Sequence, residues 1–357
     1  MTETREYRSL DHEDVVSAWD ALESAGACPG LFGTRPWVSA WAGQFGDDLA
    51  PLVLVSRSGA DLLGMAVLFI ERDGRVVFPV NFLSPRAEFL GGVTGVDLLA
   101  DAFVHYVASS GGRAFLRGLP ADSPTLSAIR RALPGRGIPA AERPGRVSPY
   151  IDIDGSWDDY LAGRPRKVTH EWERKTRKLE AAGRVSVASF EDGTPTDRLI
   201  EEFISVESRS WKERNGTSIG ARGVENFYRG MARGLADTGA FRPFWIELDG
   251  ETIAFLLGAV HGGTYFAMKT SYDERFASLS PGVRLFREAV KHAFGAGLAR
   301  FDFLGQRARW KDEWANGWRE HVDVSLYEKG LRGSLARAVD VRVRPAVRAL
   351  MRGRDGS

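Results

Sequence analysis

Gly263–Trp314 reads GTYFAMKTSYDERFASLSPGVRLFREAVKHAFGAGLARFDFLGQRARWKDEW, and the rest of the chain is built around it. Thr264 to Tyr272 mixes aromatic and β-branched residues and predicts a strand. A polar loop closes on Ser280-Pro281-Gly282, where Ser280 is placed to accept from the first free amides of a helix and Pro281 suits its first position. Val283, Phe286, Val290 and Phe294 then recur at three- and four-residue steps, one face of an amphipathic helix. Gly295 and Gly297 end it, Arg300 to Leu304 reads as a short buried strand, and Gly305 turns the chain into Arg307-Ala308-Arg309-Trp310-Lys311. Strand, loop, helix and strand in that order gather free amides and a helix dipole at one loop, as phosphate-binding folds do.

Working outward, 357 residues suffice for one large core or two modest ones, and 43% hydrophobic with 27% charged residues is an ordinary globular composition. A net charge of +1 gives no global pull toward nucleic acid, so any such binding needs a local patch. Cys28 is the single cysteine, which excludes an intramolecular disulfide framework and a cysteine-based zinc cluster. MTETREYRSLDHED has no apolar signal-peptide core, and no uncharged apolar run reaches the roughly 18 residues of a membrane span. A cytoplasmic protein is the expectation.

Before the central stretch, helices are expected around Trp19 and around Trp37 and Trp41, with strands over 51–56, 62–72 and 75–78. A helix over 96–109, a strand over 113–117 and a helix over 124–132 complete an α/β first part. Pro144-Gly-Arg-Val-Ser-Pro149 is rich in turn formers and marks a boundary, giving halves of 1–146 and 147–330 and a tail of 331–357. Trp157 to Ala182 is the most charged segment, read as one helix with Lys167, His170 or Glu171, Arg174 and Lys178 on one stripe. Two readings stand: a solvated face neutralised by Glu171, Glu173 and Glu180, or a surface on which Arg166 and Lys167 help hold a pyrophosphate or tRNA backbone. The arginine-rich tail, Leu331 to Arg354, is expected to be helical with a kink at Pro345, its apolar stripe docked and its arginines free for an anionic surface or tRNA.

The run Tyr272-Asp273-x-x-Phe276-x-x-x-Ser280-Pro281-Gly282, followed by Gly297, Phe301 to Gly305, Trp310, Lys311 and Trp314, resembles the GNAT-fold acyltransferases. More narrowly it resembles the CelD-type (BioF2-like) acetyltransferases, relatives of the Fem-type peptidyl transferases; Pro29 to Trp37 and Trp41 match more weakly. The resemblance implies an α/β protein of two tandem GNAT-like halves, each a mixed sheet flanked by helices, with catalysis in the second. It implies acyl transfer to an amine from an acyl-CoA such as acetyl-CoA, without a metal. An aminoacyl-tRNA donor of the Fem type is the second reading and a non-catalytic binding scaffold the third.

Acyl transfer needs a donor held by its polyanionic handle, a proton acceptor and a stabiliser of the oxyanion. Ser280, Pro281, Gly282, Val283 and Arg284 form the candidate phosphate site. The usual Q/R-x-x-G-x-G/A loop has Leu279 at its first position here and Arg284 at its second glycine. Glu207, Asp273 and Asp302 are the candidate bases; Asp302 alternates with Phe301 and Phe303 and reads equally as a structural acceptor. Tyr272 or Tyr265 is a candidate donor to the leaving thiolate, or else a core ring. Lys311, one of eight lysines against forty arginines, is the candidate oxyanion or phosphate contact, with an ion pair to Asp312 or Glu313 as the alternative. Lys269, Trp310 and Arg307 are candidate substrate contacts. His170, His261 and His292 show no metal-ligand spacing.

Overall fold

The computed structural model describes residues 2–190 and 194–343. The chain forms two units: residues up to Arg35, Phe45–Arg146 and Glu320 onward make the first, and Pro36–Gln44 with Val147–Arg319 make the second. Single cuts at 146 and 330 therefore misplace two segments, the Trp37–Trp41 helix and residues 320–330.

In the first unit the strands follow the order Thr2–Tyr7, Leu49–Ser58, Asp61–Glu71, Arg75–Val77 and Arg113–Pro120, with the His321 to Leu326 part of the last strand beside Arg113–Pro120. Neighbours are antiparallel except Arg75–Val77, which runs parallel to Arg113–Pro120. Leu52 to Val55 and Met65 to Phe69 are buried without alternation, as strands covered on both faces are. Leu99, Phe103 and Val104 of helix Val93–Ser109 and Ile129 of helix Pro124–Ala132 fill the core against them.

In the second unit the order is Val147 to Asp152, Arg300–Asp302, Thr264–Tyr272, Glu251–His261, Phe244–Leu248 and Val185–Ser189. Among these described pairs, Thr264–Tyr272 with Arg300–Asp302 is parallel and the others are antiparallel. Side chains alternate across a strand. Phe255 accordingly stacks on Phe203 of helix Thr196–Ser208, ring centroids 4.7 Å apart, while Ala254 and Leu256 join Leu285, Ala289 and Val290 of helix Pro281–Gly295. The order strand, loop, helix, strand expected over 264–302 is the observed one.

The charged segment expected as a single helix is two, Trp157–Ala162 and Arg166–Glu180, because Pro165 has no amide to continue the first. The second buries Trp172, Thr176 and Leu179, and Trp172 stacks on Trp314 at 3.6 Å with the planes 10° apart. The tail begins as helix Leu331–Ala338 and a wider turn over Val339–Val343. Among the described residues its apolar stripe is not docked: Leu331 is 90% and Leu335 67% exposed, and the helix is held instead by Arg337 on the Ala140 carbonyl and by Asp340 on Tyr327. Pro345 and the rest of 344–354 lie outside the described residues. Among the described residues no helix is long and apolar enough to cross a membrane.

Candidate active site

Strands Thr264–Tyr272 and Arg300–Asp302 pair over three rungs, ending at Phe266 and Asp302. The longer strand continues past that point without a parallel neighbour. Just there its register against Glu251–His261 slips: Leu257 faces Lys269 and Gly258 faces Ala267, so Met268 is an extra residue that bulges the strand. Gly258 is required at this place, since a Cβ would stand 1.9 Å from the Tyr265 hydroxyl oxygen, whose proton goes to the Arg242 carbonyl. Bulges of this kind re-aim side chains next to functional sites.

The side chain re-aimed is Lys269. Helix Thr196–Ser208 buries Leu199, Ile200, Phe203 and Val206, and Glu207 extends the same stripe, fully buried. Lys269 Nζ stands 3.0 Å and Lys212 Nζ 3.7 Å from Glu207 Oε1. Neither is aligned as a hydrogen bond to that oxygen, so charge alone holds it, while Oε2 accepts from the Ile219 amide at 2.7 Å. Lys212, in the short helix Trp211–Arg214 capped by Ser210, donates to the Thr270 carbonyl on the part of the bulged strand that has no parallel neighbour. The Tyr228 ring lies 5.8 Å from Lys269 Nζ. Burial, the largest cause, and the charges of Lys269 and Lys311 lower the pKa of Lys212 to about 8 against the opposing pull of Glu207. Burial also lowers Lys269, against Glu207.

Of the expected site residues, Glu207 and Lys269 meet here, and Lys311 is near enough for its charge to act on Lys212. Lys311 Nζ donates to the carbonyls of Phe303 at 3.2 Å and Leu304 at 2.6 Å. Trp310 is 41% exposed and lies on Phe286, 5.0 Å between centroids. Asp302 is buried and accepts from the Leu304 amide at 2.8 Å, holding its own turn. Tyr272 packs at the margin of the core. Arg307 is a surface residue paired with Asp312 at 3.2 Å and stacked on Trp318. Arg166 and Lys167 are exposed at the start of their helix. Asp273 is fully buried; burial pushes its carboxyl up, but hydrogen bonds from Arg275 and Arg209 outweigh this and hold it at about 2, so it is an anchor and not a base.

The N-terminus of helix Pro281–Gly295 carries no side-chain cap. Ser280 adopts a left-handed conformation, φ 53°, from which its hydroxyl does not reach the helix amides, contrary to the role expected of it. Gly282 faces open space, and Arg284 turns away along the helix to Glu288 at 3.2 Å and Glu180 at 3.7 Å. Lys178 of the neighbouring helix donates to the Ser278 carbonyl at 2.8 Å. A separate shallow hollow of about 300 Å³, lined by Ser189, Phe244, Glu288, Lys291 and His292, lies toward the other end of the helix. Among the described residues no group of three or more His, Cys, Asp or Glu is placed to share a metal ion.

Residues 166–312 match the family model described as an acetyltransferase (GNAT) domain. That match falls within the second unit and is to a GNAT acetyltransferase domain. Among solved structures the chain is similar to FemX, at 12% identity and TM-score 0.60 over 94% of this chain and 99% of that one. It is also similar to the C-terminal domain of a putative lysylphosphatidylglycerol synthetase from Agrobacterium fabrum, at 13% identity and TM-score 0.55 over 91% and 94% of the two chains. L-PGS from Bacillus licheniformis gives 11% and 0.54 over 91% and 96%. At such identities these likenesses establish the fold, a mixed α/β architecture shared along nearly the whole chain. No curated protein matches the sequence directly.

Proposed function

We propose that the protein is an N-acyltransferase that forms an amide from an acyl-CoA, such as acetyl-CoA, and an amine. The observation that carries this reading is the uncapped helix start at Gly282 beside the parted strands. A thioester arm lies between the strands, where backbone groups of the bulged one are unpaired by a parallel neighbour, and its phosphates meet the free helix amides and Lys178. The Arg284 side chain, at the position of the usual second glycine, leaves this approach open because Glu288 and Glu180 hold it elsewhere. The amine nitrogen attacks the thioester carbon, the oxyanion forms near the charge of Lys311, and collapse expels the thiolate.

An aminoacyl-tRNA donor is the second reading, favoured by the exposed basic face that begins at Arg166 and Lys167. Gly282→Leu separates the two, since its side chain enters open space and the fold survives. With coenzyme A as ligand, calorimetry should show affinity reduced about tenfold or more at an unchanged melting temperature, because bulk stands between phosphate and amides. For tRNA, neutralising Arg166, Lys167, Arg174 and Lys178 should weaken binding and flatten its salt dependence. Indifference to both changes would reject both donors. The acceptor is an amine in either case.

A further inference from the structure

We propose that Lys212 is the proton acceptor of the transfer, the amine that takes the proton from the acceptor's ammonium group. The inference rests on the acyl-transfer reading above and concerns the same site. The carboxylates expected to do this work are otherwise engaged. Glu207 is 0% exposed, with Oε2 on the Ile219 amide and Oε1 facing two ammonium groups, so no substrate nitrogen reaches it. Asp273 is enclosed by Arg209 and Arg275, and Asp302 by its own turn. Lys212 is different: its side chain is 19% exposed, and it reaches the carbonyl of Thr270 on the stretch of strand left open where its neighbour parts from it.

Charge balance selects Lys212 over Lys269. Glu207 supplies one negative charge against two buried lysines, with Lys311 and Arg222 adding positive potential around them. A buried, uncompensated charge is relieved most cheaply by losing a proton. Each lysine donates to one backbone carbonyl, Thr217 for Lys269 and Thr270 for Lys212, but Lys269 stands closer to the carboxylate, 3.0 against 3.7 Å, so its charge is the better compensated of the two. Lys212 is then the amine available as a base near neutral pH. The groups facing it are Glu207 of helix Thr196–Ser208, Lys269 of the bulged strand and Lys311; Tyr228 lies behind Lys269 and titrates far higher because it is buried.

The step balances as follows. Neutral Lys212 Nζ takes one proton from the acceptor's ammonium, and the freed lone pair attacks the thioester carbonyl carbon. As the tetrahedral species collapses, the C–S bond breaks and the thiolate sulfur gains the second nitrogen proton. Lys212 returns its proton to water.

Two measurements decide the matter. Trace acetylation of the intact protein with acetic anhydride from pH 6 to 11, read by mass spectrometry on the peptide bearing Lys212 against an added lysine standard, should place its titration near pH 8. In parallel, coenzyme A release from acetyl-CoA with a panel of simple primary amines should rise through the same pH in the wild type. It should fall about 10²- to 10⁴-fold in both Lys212→Arg and Lys212→Met. Labelling that follows the standard would overturn the assignment, whatever the activities. So would full turnover in Lys212→Arg, since a permanently charged side chain serves an anion contact but not a base. A wild type inert toward acetyl-CoA would instead sink the donor reading, and the labelling curve alone would then decide on Lys212.

Discussion

Replacing Lys311 by methionine is expected to lower kcat about a hundredfold or more with KM little changed, the scale of losing one oxyanion donor. The ammonium is fixed at the end of strand Arg300–Asp302 by the carbonyls of Phe303 and Leu304. Leu304 occupies the left-handed region, φ 52°, and Asp302 takes its amide from the other side. The same lysine therefore braces a strained turn and brings positive charge to where the strands part. Methionine keeps the length and loses the charge, and two carbonyls lose a charged donor, worth about 1.5–3 kcal/mol. Steady-state kinetics must be read beside thermal melting. A loss of turnover that vanishes when the assay is cooled well below the variant's melting temperature would make Lys311 a brace only. A raised KM at unchanged kcat would make it a substrate contact.

Much of this arrangement was legible in the sequence, and the parts that were not have physical reasons. The strand, helix and strand over 264–302 follow from apolar periodicity because each buries a face. Thr2–Tyr7 left no such trace: TETREY lies at the edge of the sheet with its side chains largely exposed, and backbone pairing to Val53 through Ser58 holds it. Glu207 was visible as an acid continuing the buried stripe of Phe203 and Val206, four residues after the first. Lys212 was missed because its meaning depends on Lys269, more than fifty residues away, being turned toward it by a one-residue bulge. Periodicity does not encode that slip. The tail misled in the opposite sense, since its regular apolar spacing implied a docked face where Leu331 and Leu335 stand in solvent.

The largest loss of stability is expected from Glu207→Ala. It strands the Ile219 amide and leaves Lys212 and Lys269 buried with no carboxylate between them. Removing one partner of a buried ionic group costs about 3–5 kcal/mol. The sign of its pH dependence follows from the lysines. Both have folded pKa values below their ordinary range, so the unfolded chain binds more protons and the native state gains stability as pH rises past about 8, where Lys212 discharges. In the wild type Glu207 partly compensates the charged lysines below that pH; in the variant nothing does. The stability gap between the two proteins should therefore be widest at pH 6.5 and should narrow by pH 9. Urea unfolding at the two pH values measures it. Glu207→Gln, which keeps an oxygen for the Ile219 amide, should lose less than Glu207→Ala but show the same narrowing. A gap independent of pH in both variants would mean that the carboxylate contributes by packing and hydrogen bonding, and that the charges of Lys212 and Lys269 are not coupled to it.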